Sequence, residues 1–122
     1  MKKIGKIKSI DLSYGGYRDA AFGLNIAFTV KDEDGENDDY YYYFDGPWAV
    51  HLKWRKDNKW TEQDRTNHFG NILRRVNELV DDAKVNSFSN LKNIPVEIEL
   101  DRRKAAFCPN KVESFRILKE VL

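Results

Sequence analysis

The sequence is poor in the residues that build cross-links and metal sites, with one cysteine and two histidines among 122 residues. A single cysteine, Cys108, excludes an internal disulfide framework. No apolar run approaches the roughly 20 residues that a membrane-spanning helix needs. The first eight residues are rich in lysine but lack the continuous apolar stretch of a signal peptide. We therefore expect a cytoplasmic protein with no membrane partner.

Motifs of catalysis are missing as well. His51, His68 and Cys108 lie far apart and do not show the paired spacing of metal ligands. There is no glycine-rich phosphate loop, and neither Cys108 nor any serine sits in a nucleophile motif. We therefore predict a protein that is not an enzyme and uses no metal or cofactor.

Charge of either sign is nearly balanced. The chain has 21 Lys and Arg against 20 Asp and Glu, a formal net charge of +1. This balance neither requires nor excludes a polyanionic partner. Charged residues make up 34% and hydrophobic residues 41%, which is typical of a folded globular chain. With no linker or repeat to divide it, residues 1–122 are predicted to form a single domain.

The clearest pattern is in residues 61–84, where apolar side chains recur every three or four positions and predict an amphipathic helix. Thr61 and Asp64 resemble a capping box at its start. Such a helix needs a surface to pack on. Its apolar positions are Phe69, Ile72, Leu73, Val76, Leu79, Val80 and Ala83.

Strand patterns lie on both sides of this helix. They cover residues 3–13, 22–30, 40–44, 96–100 and 112–121. Asp34-Gly35 predicts a hairpin turn, and Gly5 suggests a nearby β-bulge. The order βββ-α-ββ predicts an α+β fold, in which a five-stranded antiparallel sheet packs on one long amphipathic helix. Residues 46–60, with Trp48, Trp54 and Trp60, fit no clear element.

Aromatic residues and arginines are the remaining chemical resource. A nucleotide is bound by a flat apolar face under its base and guanidinium groups at its phosphates. Tyr17-Arg18-Asp19, Phe115-Arg116 and the basic residues 102–104 offer these groups. The alternative for each aromatic side chain is packing in the core or over a sheet edge.

Three parts of the chain resemble small phage and prophage proteins of the Thoeris anti-defence protein 1 family. They are residues 3–24, 91–98 and 114–122, and the most specific is Gly-Gly-Tyr-x-Asp-Ala at 15–20. The resemblance implies a non-enzymatic sponge in the cytoplasm of the bacterial host. It would bind, without cleaving, the cyclic ADP-ribose isomers that TIR-domain enzymes make, and so block Thoeris immunity. Family members form dimers or higher homo-oligomers, and some also bind cyclic oligonucleotides.

On this resemblance, Arg18 and Arg116 are expected to contact phosphate. Asp19 would accept a hydrogen bond from a ribose hydroxyl or the adenine amine, pair with Arg18, or cap the turn. Val112, Ser114, Arg116 and Leu118 are predicted to share one part-buried face, where an arginine needs an anionic partner. That partner is either ligand phosphate or a carboxylate of the same or a neighbouring chain. The predicted ligand-binding residues are Tyr17, Arg18, Asp19, Phe88, Phe115 and Arg116, with Tyr17, Phe88 or Phe115 stacking on adenine.

Two other functions fit the same sequence. One is a single-stranded nucleic-acid-binding module, indicated by surface aromatics and the basic clusters at 53–59 and 102–104. The acidic run 32–39 and the small net charge count against a polyanion binder. The other is an inhibitor that binds a host protein through the aromatic segment Trp48–Trp60.

Overall fold

A computed structural model describes residues 1–15, 21–44, 61–100 and 109–122 of the chain. The segment 46–60, with its three tryptophans, lies outside these ranges. The five strands are β1 (Lys2–Gly15), β2 (Ala21–Lys31), β3 (Asn37–Phe44), β4 (Pro95–Leu100) and β5 (Val112–Ile117), with the helix α1 (Glu62–Ala83) between β3 and β4. Short 3₁₀ helices cover Phe88–Leu91 and Lys119–Val121. The predicted α+β class, with an antiparallel sheet and one long helix, is confirmed.

The long strand β1 is the centre of the sheet. Its first part, residues 2–6, pairs with β4, and its second part, from Lys6 to Gly15, pairs with β2. All these pairs are antiparallel, and the strand order is β3-β2-β1-β4-β5. A β-bulge interrupts β1 between Ile7 and Ser9, a few residues from Gly5, near which one was predicted. Gly5 itself is where β1 approaches the Thr29 carbonyl so closely that a Cβ atom would collide with it.

The two outermost strands of this sheet, β3 and β5, approach each other. Tyr41 of β3 forms a parallel bridge with Lys111, the residue before β5, and its N–H donates to the Asn110 carbonyl at 2.8 Å. On the inner face of the curved sheet, the centroid of the Phe115 ring lies 5.0 Å from that of Phe28 and 5.1 Å from that of Tyr42. The sheet is therefore a partly open barrel whose inner face holds the core.

Helix α1 begins as predicted. The Thr61 hydroxyl accepts from the Asp64 N–H, and the Asp64 carboxylate accepts from the Thr61 N–H. The buried stripe is narrower than predicted, since Ile72, Leu79 and Ala83 are buried but Leu73 is 64% exposed. His68 takes a place in this stripe, with its Nε2 atom 2.9 Å from the Phe22 carbonyl oxygen. A histidine is tolerated there because a backbone polar group is within reach.

Strand β5 corrects one prediction. Val112, Phe115 and Ile117 are buried, whereas Ser114 and Arg116 are exposed. The predicted face shared by Val112, Ser114, Arg116 and Leu118 is therefore wrong, and the strand ends at Ile117, not at the predicted Val121. The pairing of β4 with β5 shifts register between Glu99 and Leu100, and an extra residue in a strand reverses which side chains face inward beyond it.

Candidate functional site

The six predicted ligand-binding residues divide into two groups. Tyr17, Arg18 and Asp19 lie outside the described residues. Phe88, Phe115 and Arg116 are described, and the structure places them in different surroundings. The roles given to all six remain predictions.

Phe115 belongs to the core. Its side chain is 8% exposed, and besides Phe28 and Tyr42 it contacts the Arg75 guanidinium, whose Cζ atom lies 5.0 Å from the ring centroid. Phe88 starts the turn Phe88–Leu91 and packs half-buried against the core. Consecutive residues of a strand point to opposite faces. Phe115 and Arg116 are therefore on opposite sides of the sheet.

Arg116 lies on the outer face of the sheet between two carboxylates. Its Nε is 3.3 Å from Glu97 Oε1, and its Nη1 is 3.2 Å from Glu120 Oε1. Hydrogen bonding and charge from Glu120, joined by Glu97, raise the pKa of Arg116. A backbone hydrogen bond at Glu120 and the nearby Arg116 lower the pKa of the Glu120 carboxyl. In this structure the anionic partners of Arg116 are carboxylates of its own chain.

A different set of side chains meets on the outer face of β1, β2 and β3. The register aligns Ser9 of β1 with Ala27 of β2, Ala27 with Tyr41 of β3, and Tyr41 with Lys111. We call these four residues the tyrosine row. Tyr41 is 41% exposed, and Ser9 and Ala27 beside it are small. The row thus offers an accessible aromatic ring whose neighbours on β1 and β2 have short side chains.

The β-bulge in β1 adds a cation to this face. Because the bulge makes Lys8 the extra residue, its side chain extends over the sheet to β3, where Nζ lies 2.7 Å from Asp39 Oδ2. A hydrogen bond and the charge of Asp39 raise the pKa of Lys8, and Tyr41 adds a smaller effect in the same direction. Lys8 of β1 and Lys111, the residue before β5, therefore border Tyr41 on two sides.

Polar groups continue along the face beyond the tyrosine row. Ser13 Oγ donates to Asp11 Oδ1 at 2.9 Å, and Asn25 Nδ2 donates to Ser13 Oγ at 2.6 Å. Asp11 and Asp39 oppose the charges of Lys8 and Lys111, and the exposed Lys6, opposite Thr29 of β2, leaves this face mildly basic. It suits a ligand that stacks on one ring and brings few phosphates.

The sequence pattern did not single out Tyr41 or Lys8. Four consecutive tyrosines, 40 to 43, predict a strand but do not show which of them face outward. The fold decides this by burying Tyr40, half-burying Tyr42 and exposing Tyr41. The cation depends on the bulge at Lys8, three residues from Gly5, near which the sequence suggested one.

Within the described ranges, no three His, Cys, Asp or Glu residues are grouped as a metal site would require. None of the described helices combines the length and apolarity needed to cross a membrane.

The connectivity of the strands defines a class of fold. The strand order is β3-β2-β1-β4-β5, β3 makes a parallel contact with the start of β5, and a helix lies between β3 and β4. This is the arrangement of an OB fold, a five-stranded, partly open Greek-key barrel. Such barrels bind oligonucleotides or oligosaccharides on the face of strands 2 and 3. No protein-family model, curated protein or solved structure matches this chain. Any function must therefore be argued from the site itself.

Proposed function

We propose that this protein binds single-stranded nucleic acid, without catalysis, across the tyrosine row of β1, β2 and β3. The observation that carries the proposal is the exposed ring of Tyr41 at the centre of that row. It lies on the face that OB-type barrels use for ligands. A base stacks on such a ring whatever its identity, since every base has a flat π-face.

The dimensions and charges of the row indicate a short binding site. Three inter-strand spacings of about 4.8 Å give it a width of about 14 Å. This corresponds to the lower end, about four nucleotides, of the site sizes known for such barrels. Two lysines that neutralise two phosphates would give a salt slope of about −1.4 for a single strand. The basic residues 102–104 follow β4 in sequence and would steepen this slope if they contact the strand.

Replacing Tyr41 with alanine tests the proposal. We expect the variant to bind a fluorescein-labelled oligothymidylate of about ten nucleotides more weakly by about 1–3 kcal/mol, the range for one stacked base. Fluorescence anisotropy at low salt measures the loss. In a series of oligonucleotides of increasing length, the affinity should rise up to about four nucleotides and then level off.

Two variants serve as controls for Tyr41→Ala. Tyr41→Phe keeps the ring and is expected to bind like the wild type. Tyr14→Ala removes a ring of similar exposure (46%) on the opposite side of the sheet and is expected to leave affinity unchanged. A wild-type protein that ignores oligonucleotides would refute the function. Equal binding by Tyr41→Ala and wild type would refute the site.

The resemblance to the Thoeris anti-defence protein 1 family supports a second candidate function. On this proposal the chain sequesters a cyclic ADP-ribose isomer as a homo-oligomer and leaves it intact. The residues that carry the resemblance most specifically are 15–20. A pocket for one small ligand would saturate at fixed stoichiometry, and its binding would not strengthen with oligonucleotide length.

Mass spectrometry separates the two candidates. The protein is incubated with the products of a TIR-domain enzyme, freed of unbound ligand and denatured by heat. If the protein sequesters the signal, we expect to recover the signal molecule intact. If Tyr17 stacks on adenine, Tyr17→Ala should weaken the binding of that molecule by about 1–3 kcal/mol. A cleaved product would indicate an enzyme, and an empty protein would exclude sequestration.

A further inference from the structure

The Lys8–Asp39 ion pair is the part of the outer face whose role the proposed function leaves open. The bulge in β1 sends Lys8 across β2, and its ammonium group meets the Asp39 carboxylate at 2.7 Å. Asp39 precedes Tyr41 by two residues on β3, so both side chains lie on the same face. Half of the Lys8 side chain is exposed (53%), as is a third of that of Asp39 (33%). An anion over Tyr41 would thus encounter both.

We infer that Asp39 is an intramolecular competitor for ligand phosphate, which holds Lys8 when the site is empty and yields it to a phosphate when a strand binds. This inference rests on the proposed function and names what regulates its affinity. A carboxylate and a phosphate oxygen use the same ammonium donors. Binding therefore exchanges one charge-assisted hydrogen bond for another, and Asp39 is left beside the incoming anion.

The competition makes an unusual prediction, because removing a residue of the site should strengthen binding. Asp39→Asn is expected to tighten the binding of the labelled oligothymidylate about three- to fivefold at low salt, in line with the small effect of an exposed ion pair. Lys8→Ala should weaken binding and reduce the salt slope by about 0.7, the contribution of one phosphate contact. Both are measured by fluorescence anisotropy over a salt series.

The neighbouring Asp38 provides a matched control. It is exposed on the same strand, and Asp38→Asn changes the net charge by the same amount. We expect it to alter affinity less than twofold. In the Lys8→Ala background, Asp39→Asn should lose its advantage, since the competition needs both partners.

The outcomes distinguish this inference from the proposed function. The inference would be overturned if Asp38→Asn tightened binding as much as Asp39→Asn does. It would also be overturned if Asp39→Asn still tightened binding in the Lys8→Ala background. Either result would mean that general electrostatics explains the effect. The proposed function would survive either result if Tyr41→Ala still weakened binding. A wild-type protein that does not bind the oligonucleotide would overturn both.

Discussion

Replacing Phe115 with alanine is expected to lower the free energy of unfolding by about 3–5 kcal/mol, the usual cost of removing a large aromatic ring from a core. The ring packs against Phe28, Tyr42 and the Arg75 guanidinium. It therefore joins β5 to β2, β3 and the helix inside the barrel. Urea denaturation followed by circular dichroism measures the loss.

Neighbouring substitutions make this test specific. Phe115→Leu keeps most of the volume and should cost less than about 1.5 kcal/mol. Ser114→Ala, at the exposed position before it, should stay within about 0.5 kcal/mol of the wild type. If Phe115 stacks on a ligand and contributes little to the core, Phe115→Ala would leave stability almost unchanged and abolish binding. That result would restore its predicted role in the ligand site.

The second large effect is expected at Gly5. A Cβ atom there would press on the Thr29 backbone carbonyl and lie 2.8 Å from Val30 Cγ2. The carbonyl belongs to a strand paired on both sides, so it cannot move aside without disturbing the sheet. Gly5→Ala is expected to destabilise the fold by about 1–3 kcal/mol, as overpacking generally does.

Gly70 provides the opposite case in the same chain. It lies within helix α1, and its added Cβ would come 3.4 Å from Arg74 Nη2, the end of a flexible side chain. Gly70→Ala should therefore raise stability by about 1 kcal/mol through helix propensity. Thermal denaturation of both variants checks the pair. No loss at Gly5 would contradict the close approach of β1 and β2, and a loss at Gly70 would contradict the space beside that position of the helix.

These tests together separate residues that stabilise the barrel from residues of the proposed binding face. Variants at Phe115 and Gly5 change stability because they alter the packing of the inner face and the close approach of β1 to β2. Variants at Tyr41, Lys8 and Asp39 change exposed or partly exposed surface side chains, where substitutions usually shift stability by less than about 0.5 kcal/mol. A loss of binding by Tyr41→Ala can therefore be attributed to the missing ring.

Local patterns in the sequence determined the elements of this fold. The spacing of apolar residues predicted α1, and Thr61 with Asp64 predicted its first turn, because a helix and its cap depend on neighbours within four residues. Alternation predicted β2, and Asp34-Gly35 predicted the turn after it, where Gly35 has a positive φ of 84°. Contacts of this range are encoded side by side in the chain.

Only the tertiary structure decided which side chains form the outer face. The shift between Glu99 and Leu100 turned Arg116 outward, and the bulge at Lys8 brought that lysine to Asp39 of another strand. The parallel bridge between Tyr41 and Lys111 joins residues 70 positions apart. Such features arise from register and closure between distant strands, for which no short stretch of sequence carries a periodic signal. The α+β class could therefore be predicted from local patterns, whereas the strand order, the closure of the sheet and the tyrosine row had to be seen in three dimensions.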